Sequence, residues 1–129
     1  MEAVREHVQS RIITRGELLA RLQHRRPHNG EYREGYALVN VEPWQRFAQL
    51  HIPGSINIAY GNEDEFENLF AKDKEIIVYG ASPVSGVATA VIAELHQRGF
   101  SNVIEFAGGL SDWRLAGGQV HQHHLDGDY

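Results

Sequence analysis

The stretch EIIVYGASPVSGVATAVIAELHQRG, Glu75 to Gly99, decides the fold. Glu75-Ile76-Ile77-Val78-Tyr79 is a near-continuous apolar run of strand length, the pattern of a strand covered on both faces in a parallel sheet. A loop of small residues from Gly80 to Pro83 follows. Val84 to Arg98 then reads as a helix, with Gly99 as its left-handed C-terminal cap.

Working outward, the same alternation recurs. Upstream, Tyr36-Ala37-Leu38-Val39-Asn40-Val41 is a second strand of this kind, and Pro43 opens a short helix carrying Trp44, Phe47 and Leu50. Ser55 to Ala59 reads as a further strand, and Glu63 to Phe70 as an acidic helix turning Phe66, Leu69 and Phe70 inward. Downstream, Asn102 to Phe106 is the last strand and Gly108 to Leu115 the last helix. Near the start, Arg11 to Ile13 is a short strand. Thr14 and Glu17 have capping-box spacing ahead of Leu18, Leu19 and Leu22, and Pro27 ends that helix near Arg26. Pro27 to Gly35, with Asn29-Gly30, reads as an exposed loop. Trp44 and Trp113 fall on helix faces expected to pack on the core.

Strands alternating with helices at short connections give an α/β layer architecture with a mainly parallel sheet, because parallel neighbours need crossovers and helices are the usual ones. In such sheets the functional loops lie at the carboxyl ends of the strands. Two loops matter here: the turn after Val41, and Gly80-Ala81-Ser82-Pro83-Val84-Ser85-Gly86.

Composition sets the bounds. The 129 residues are 42% hydrophobic and 22% charged, as in one globular domain. We read residues 11–120 as that domain, 1–10 as an N-terminal extension and 121–129 as a His-rich polar tail. The cysteine count of zero removes disulfides, thiolate metal sites and any cysteine nucleophile. A net charge of −5 is the wrong sign for a nucleic-acid footprint. No apolar run approaches the ~20 residues of a membrane span, and the N-terminus lacks a secretory signal, so the expected location is cytoplasmic.

The sequence resembles the rhodanese-like domains. The matching pieces are LVNVEPWQRFAQLHIPGSINIAY (Leu38 to Tyr60), the IIVYG strand with its loop, a helix ending in Arg98-Gly99-Phe100, and NVIEFAGGLSDWRLAGGQV (Asn102 to Val120). His51-Ile52-Pro53-Gly54-Ser55-Ile56-Asn57 and Gly108-Gly109 with Trp113 are separate landmarks. The resemblance implies a three-layer α/β fold with a five-stranded, mainly parallel sheet flanked by helices. It also implies sulfur carried as a cysteine persulfide in a loop at a helix N-terminus, where loop amides and the helix dipole lower a thiol pKa.

Three polar positions depart from the family pattern together. The cysteine position falls on Gly80, Ser85 stands where active members carry an arginine, and a strand end that often reads Asp-Val-Arg reads Asn40-Val41-Glu42. Glycine is no nucleophile, so persulfide chemistry on this chain is excluded, as is cysteine-dependent phosphatase chemistry. Ser82 and Ser85 lack a positioned base: Asn40 takes no proton, and His96 lies about three helical turns away. They read as capping and loop-bonding residues.

The expectation is therefore an inactive rhodanese-like domain acting as a binding or regulatory module. Its binding loop is Gly80 to Gly86, with Asn40 and Glu42 beside the cleft, and its ligand is a protein partner or a small anion. The alternative is an enzyme of sulfur or anion chemistry working through a partner's thiol or a loop serine. A cleft filled by Pro83 or Val84 favours the module, and a carboxylate or arginine pointing into it favours the enzyme. His121, His123 and His124, with Asp126 and Asp128, are zinc- or nickel-compatible donors. They follow the last landmark with too few apolar residues to fix them, so they read as a solvated tail, with no metal or cofactor assigned. His51 reads as a hydrogen-bonding residue of its turn, and Glu63-Asp64-Glu65 with Glu67 as a solvated helix start.

Overall fold

The computed structural model describes residues 11–23 and 35–122. The expectations for residues 1–10, the helix end near Arg26, most of the loop from Pro27 and the tail beyond Gln122 lie outside them. Strands β1 (Arg11–Ile12), β2 (Tyr36–Asn40), β3 (Ile56–Asn57), β4 (Glu75–Tyr79) and β5 (Val103–Glu105) alternate with helices α1 (Arg15–Gln23), α2 (Trp44–Gln49), α3 (Asp64–Leu69), α4 (Val87–Gln97) and α5 (Gly109–Leu115). The strands form one five-stranded sheet, ordered β1-β5-β4-β2-β3, with every pairing parallel.

The period of two along each strand sends side chains to opposite faces and so divides the core. On one face Val39, Val41, Ile76, Val78 and Val103 pack with Phe66 of α3 and Ala88, Val91, Ile92 and Leu95 of α4. On the other, Tyr36, Leu38, Ile77, Tyr79 and Ile104 pack with Leu18 of α1 and Trp113 of α5. Apolar residues on both sides of β2 and β4 are thus what the three layers require. The capping box at α1 forms in both directions: Glu17 N donates to Thr14 Oγ1 at 3.1 Å and Thr14 N to Glu17 Oε1 at 2.8 Å. Arg21 then ties α1 to the start of β4 through two bonds to Glu75, at 2.6 and 3.1 Å. Those bonds hold the Glu75 carboxyl below the usual range. Among the described residues no helix is long and apolar enough to cross a membrane.

Five expectations need correction. Glu63, expected on a solvated helix start, is buried at 8% exposure, and its Oε2 accepts from Gly61 N at 3.1 Å. Trp44 is not a core residue: it is 45% exposed, because α2 is only six residues long and docks through Phe47 and Ala48. Leu69 is 55% exposed; Phe66 and Phe70, four residues apart, make the inward stripe of α3 instead. The strand at Ser55 to Ala59 shrinks to Ile56–Asn57, since β3 is an edge that meets only β2. Helix α4 begins at Val87, after Gly86 takes a φ of 72°, so Val84 and Ser85 belong to the loop.

Candidate functional site

The sheet order fixes where a site can form. From the central strand β4 the chain passes through α4 to β5 on one side, whereas β2 passes through α2 to β3 on the other. The crevice between the carboxyl ends of β2 and β4 is therefore the point where the winding reverses, the usual ligand position in an open α/β sheet. Val41 N donates to Tyr79 O at 3.0 Å, which carries the ladder one residue past β2 and sets Glu42 beside the Gly80 loop.

Each wall has its own support. On the β2 side, Asn40 Oδ1 accepts from Glu42 N at 2.9 Å. Asn57 Nδ2 donates to the carbonyls of Asn40 and Glu42 at 3.1 and 2.8 Å. Below the loop, the buried Tyr79 hydroxyl accepts from Ile52 N at 3.0 Å and bonds Ser55 Oγ at 2.9 Å. Burial pushes this phenol above its ordinary range, against the opposing pull of hydrogen bonds to Ser55, Asn40 and Ile52. From behind, the first turn of α5 donates to the loop: Leu110 N to Gly80 O and Ser111 N to Ala81 O, both at 2.9 Å. Gly109 allows this approach. Its φ is 69°, and a Cβ there would lie 2.8 Å from Gly80 O and 2.9 Å from Ser82 N, both backbone atoms.

The decisive contact is made by Glu42. Only 7% exposed, its Oε2 accepts from Ala81 N at 2.7 Å. The same oxygen lies 3.0 Å from the point where a Cβ on Gly80 would project, and Ser85 Oγ lies 3.3 Å from it. The chain's own carboxylate thus covers the position from which a side chain at residue 80 would enter the cleft. Pro83 and Val84 do not fill the space: both are exposed, Val84 to 91%. Ser85 N donates to Ser82 O at 3.2 Å, and Ser85 Oγ accepts from Val87 N at 3.4 Å. Among the described residues, neither serine has a base bonded to it.

Of the residues singled out from sequence, the structure brings together Asn40, Glu42, Gly80, Ala81 and Ser85. Ser82 is pressed against Gly109, while Pro83, Val84 and Gly86 form the exposed rim. Asn57 and Tyr79, which hold the walls, were missed. Their signal is a polar residue on an edge strand and a hydroxyl on an otherwise apolar strand, and neither names its partner.

Residues 15–116 match the family of the rhodanese-like domain. The chain belongs to that family. It is 30% identical over 102 residues to the thiosulfate:glutathione sulfurtransferase of Saccharomyces cerevisiae, covering 69% of this chain and 72% of the yeast protein. Among solved structures, the BH2092 protein from Bacillus halodurans superposes with a TM-score of 0.75 at 30% identity, over 94% of this chain and 85% of that one. Thiosulfate sulfurtransferase from Pseudomonas aeruginosa gives a TM-score of 0.70 at 29% identity, over 88% of this chain but 20% of that larger one. In this rhodanese-like domain the position that the resemblance assigns to the sulfur-carrying cysteine is Gly80, and no thiol occurs anywhere in its 129 residues.

Proposed function

We propose that this rhodanese-like domain is non-catalytic and serves as a binding or regulatory module. The observation that carries the reading is the Glu42 carboxylate, bonded to Ala81 N and covering Gly80. An anionic substrate or persulfide has to be stabilised by loop amides and positive charge. Here a fixed negative charge occupies that place, and Ser85 supplies no positive one. The same charge disfavours a free anion as ligand and leaves a protein partner as the better reading. Val84, at the exposed loop tip, is the apolar contact such a partner would cover.

A carboxylate in the cleft is the feature expected of an enzyme, yet its bonding supports the opposite conclusion. Glu42 spends its oxygen on Ala81 N, and Ser85 Oγ bonds Val87 N, so carboxylate and hydroxyl are not joined as base and nucleophile.

The test is sulfur transfer from thiosulfate to cyanide and to glutathione, with intact-mass analysis alongside. The purified chain is expected to run at the buffer rate with both acceptors and to gain no sulfur. Transfer above background, or a stable adduct of one sulfur, would overturn the reading.

A further inference from the structure

We propose, resting on the reading of this domain as a protein-binding module, that its cleft receives a lysine side chain of the partner, with the Glu42 carboxylate as counter-charge. Glu42 is more than nine-tenths buried and is held by the bond from Ala81 N to Oε2 at 2.7 Å. Its other oxygen is open. Among the described residues Oε1 accepts no hydrogen bond and no Lys, Arg or His forms an ion pair with Glu42, and Oε1 is not sealed from solvent. A carboxylate that has lost most of its hydration without gaining a cation is costly as it stands. A cation arriving from outside offsets that cost.

The surroundings repeat the sign. Tyr60 N donates to Val41 O at 2.9 Å, which brings the segment after β3 alongside the residue preceding Glu42. That segment carries Glu63, the other buried carboxylate of the described chain, whose Oε2 accepts from Gly61 N at 3.1 Å. Among the described residues it too has no cation paired to it. The more exposed Glu67, Glu75 and Glu94 each hold a lysine or arginine, at 3.0, 2.6 and 2.8 Å respectively. Buried carboxylates are normally the paired ones. At the carboxyl ends of β2 and β3 that order is inverted.

The geometry favours an ammonium over a guanidinium. An arginine fork engages both oxygens of a carboxylate, and Ala81 N already holds one of them. A lysine ammonium is a point charge with three rotatable donors and can use Oε1 alone. Ser85 Oγ is a second acceptor: it lies 3.3 Å from the point where a Cβ on Gly80 would project, and a hydroxyl that accepts from Val87 N keeps another lone pair. Gly80 adds no side chain of its own on that side. The apolar stem of a lysine also needs cover. The segments that follow β2, β3 and β4 each expose a large apolar side chain at this end, Trp44, Tyr60 and Val84, and aromatic faces attract an ammonium. Three such residues are more than one free amine would cover, so the lysine is assigned to a protein partner.

The test is an amide chemical-shift titration of the 129-residue chain with acetyl-Leu-Lys-Leu-amide. A second titration uses the same peptide with norleucine for lysine, which keeps the stem and removes the ammonium. The lysine peptide is expected to move the resonances of Tyr60 and of Gly80 to Val87 saturably, and to bind at least about tenfold more tightly than the norleucine peptide. That preference should shrink with added salt and disappear in Glu42→Gln, whose folding circular dichroism checks. Should Glu42→Gln unfold, the two peptides and the salt series on the parent decide. The lysine seat is overturned by a lysine peptide that gives no saturable shift, by a norleucine peptide that binds within about twofold of it, or by a folded Glu42→Gln chain that keeps the preference. Each of those results leaves the non-catalytic reading standing, since that reading fails on sulfur transfer above background instead.

Discussion

Placing a cysteine at residue 80 is expected to produce a sluggish thiol, not an activated one. From sequence alone, Gly80→Cys puts a thiol at the head of a helix, where dipole and amides lower its pKa. The Glu42 carboxylate reverses that expectation. Two unit charges about 4 Å apart at an effective dielectric of about 20 repel by about 4 kcal/mol. A helix terminus contributes about 0.3–2 kcal/mol in the other direction. The Cβ of the new residue would sit 3.0 Å from Glu42 Oε2 and 3.3 Å from Ser85 Oγ, both ends of side chains that can shift, so the variant should fold. Even with solvent screening, the introduced thiol should titrate above a free cysteine. Near pH 7.5 it should react with iodoacetamide at least about tenfold more slowly, one pKa unit being a factor of ten in thiolate. Adding Glu42→Gln keeps the shape and removes the charge, and should restore or exceed the free-thiol rate. If the single variant alkylates faster than free cysteine, Glu42 does not control the seat.

The second large effect is expected at Gly109→Ala. A methyl there meets backbone on two sides, Gly80 O at 2.8 Å and Ser82 N at 2.9 Å, on a residue whose φ of 69° already disfavours a side chain. Left-handed backbone at a non-glycine residue costs about 1–3 kcal/mol, and backbone atoms yield less readily than side-chain ends. A loss of about 3 kcal/mol, roughly 10 °C in melting temperature for a chain of this size, is the expected result. The amide resonances of Gly80 to Ser82 should move most, because Leu110 and Ser111 donate to the carbonyls of Gly80 and Ala81. Thermal unfolding with an amide spectrum measures both. A loss under about 0.5 kcal/mol, the range of ordinary surface changes, would mean that α5 does not clamp the loop.

These two residues mark what the sequence discloses and what it hides. The strand Glu75 to Tyr79 was legible because burial on both faces demands an unbroken apolar run, and the cap at Thr14 because its two partners lie three residues apart. Trp113 reads correctly and Trp44 does not. Both look like core aromatics, but Trp44 opens a short helix that docks by its later residues. Gly80 and Ser85 were readable as a cleft without nucleophile or positive charge. That Glu42 covers Gly80 was not, because the contact depends on β2 lying next to β4, a property of strand order and not of local pattern. The antiparallel bridge that joins His51 to His121 through backbone bonds of 2.9 and 2.7 Å is hidden for the same reason.

The most direct measurement of the central claim, that the chain's own carboxylate occupies the anion seat of its cleft, is an amide chemical-shift titration with thiosulfate and sulfate. It is run on the parent and on Glu42→Ala. In the parent, the resonances from Gly80 to Val87 should move no more than the rest of the described chain. In Glu42→Ala the same resonances should shift saturably, and less so as salt is added. Saturable shifts confined to the Gly80 loop in the parent, unchanged by Glu42→Ala, would contradict the account.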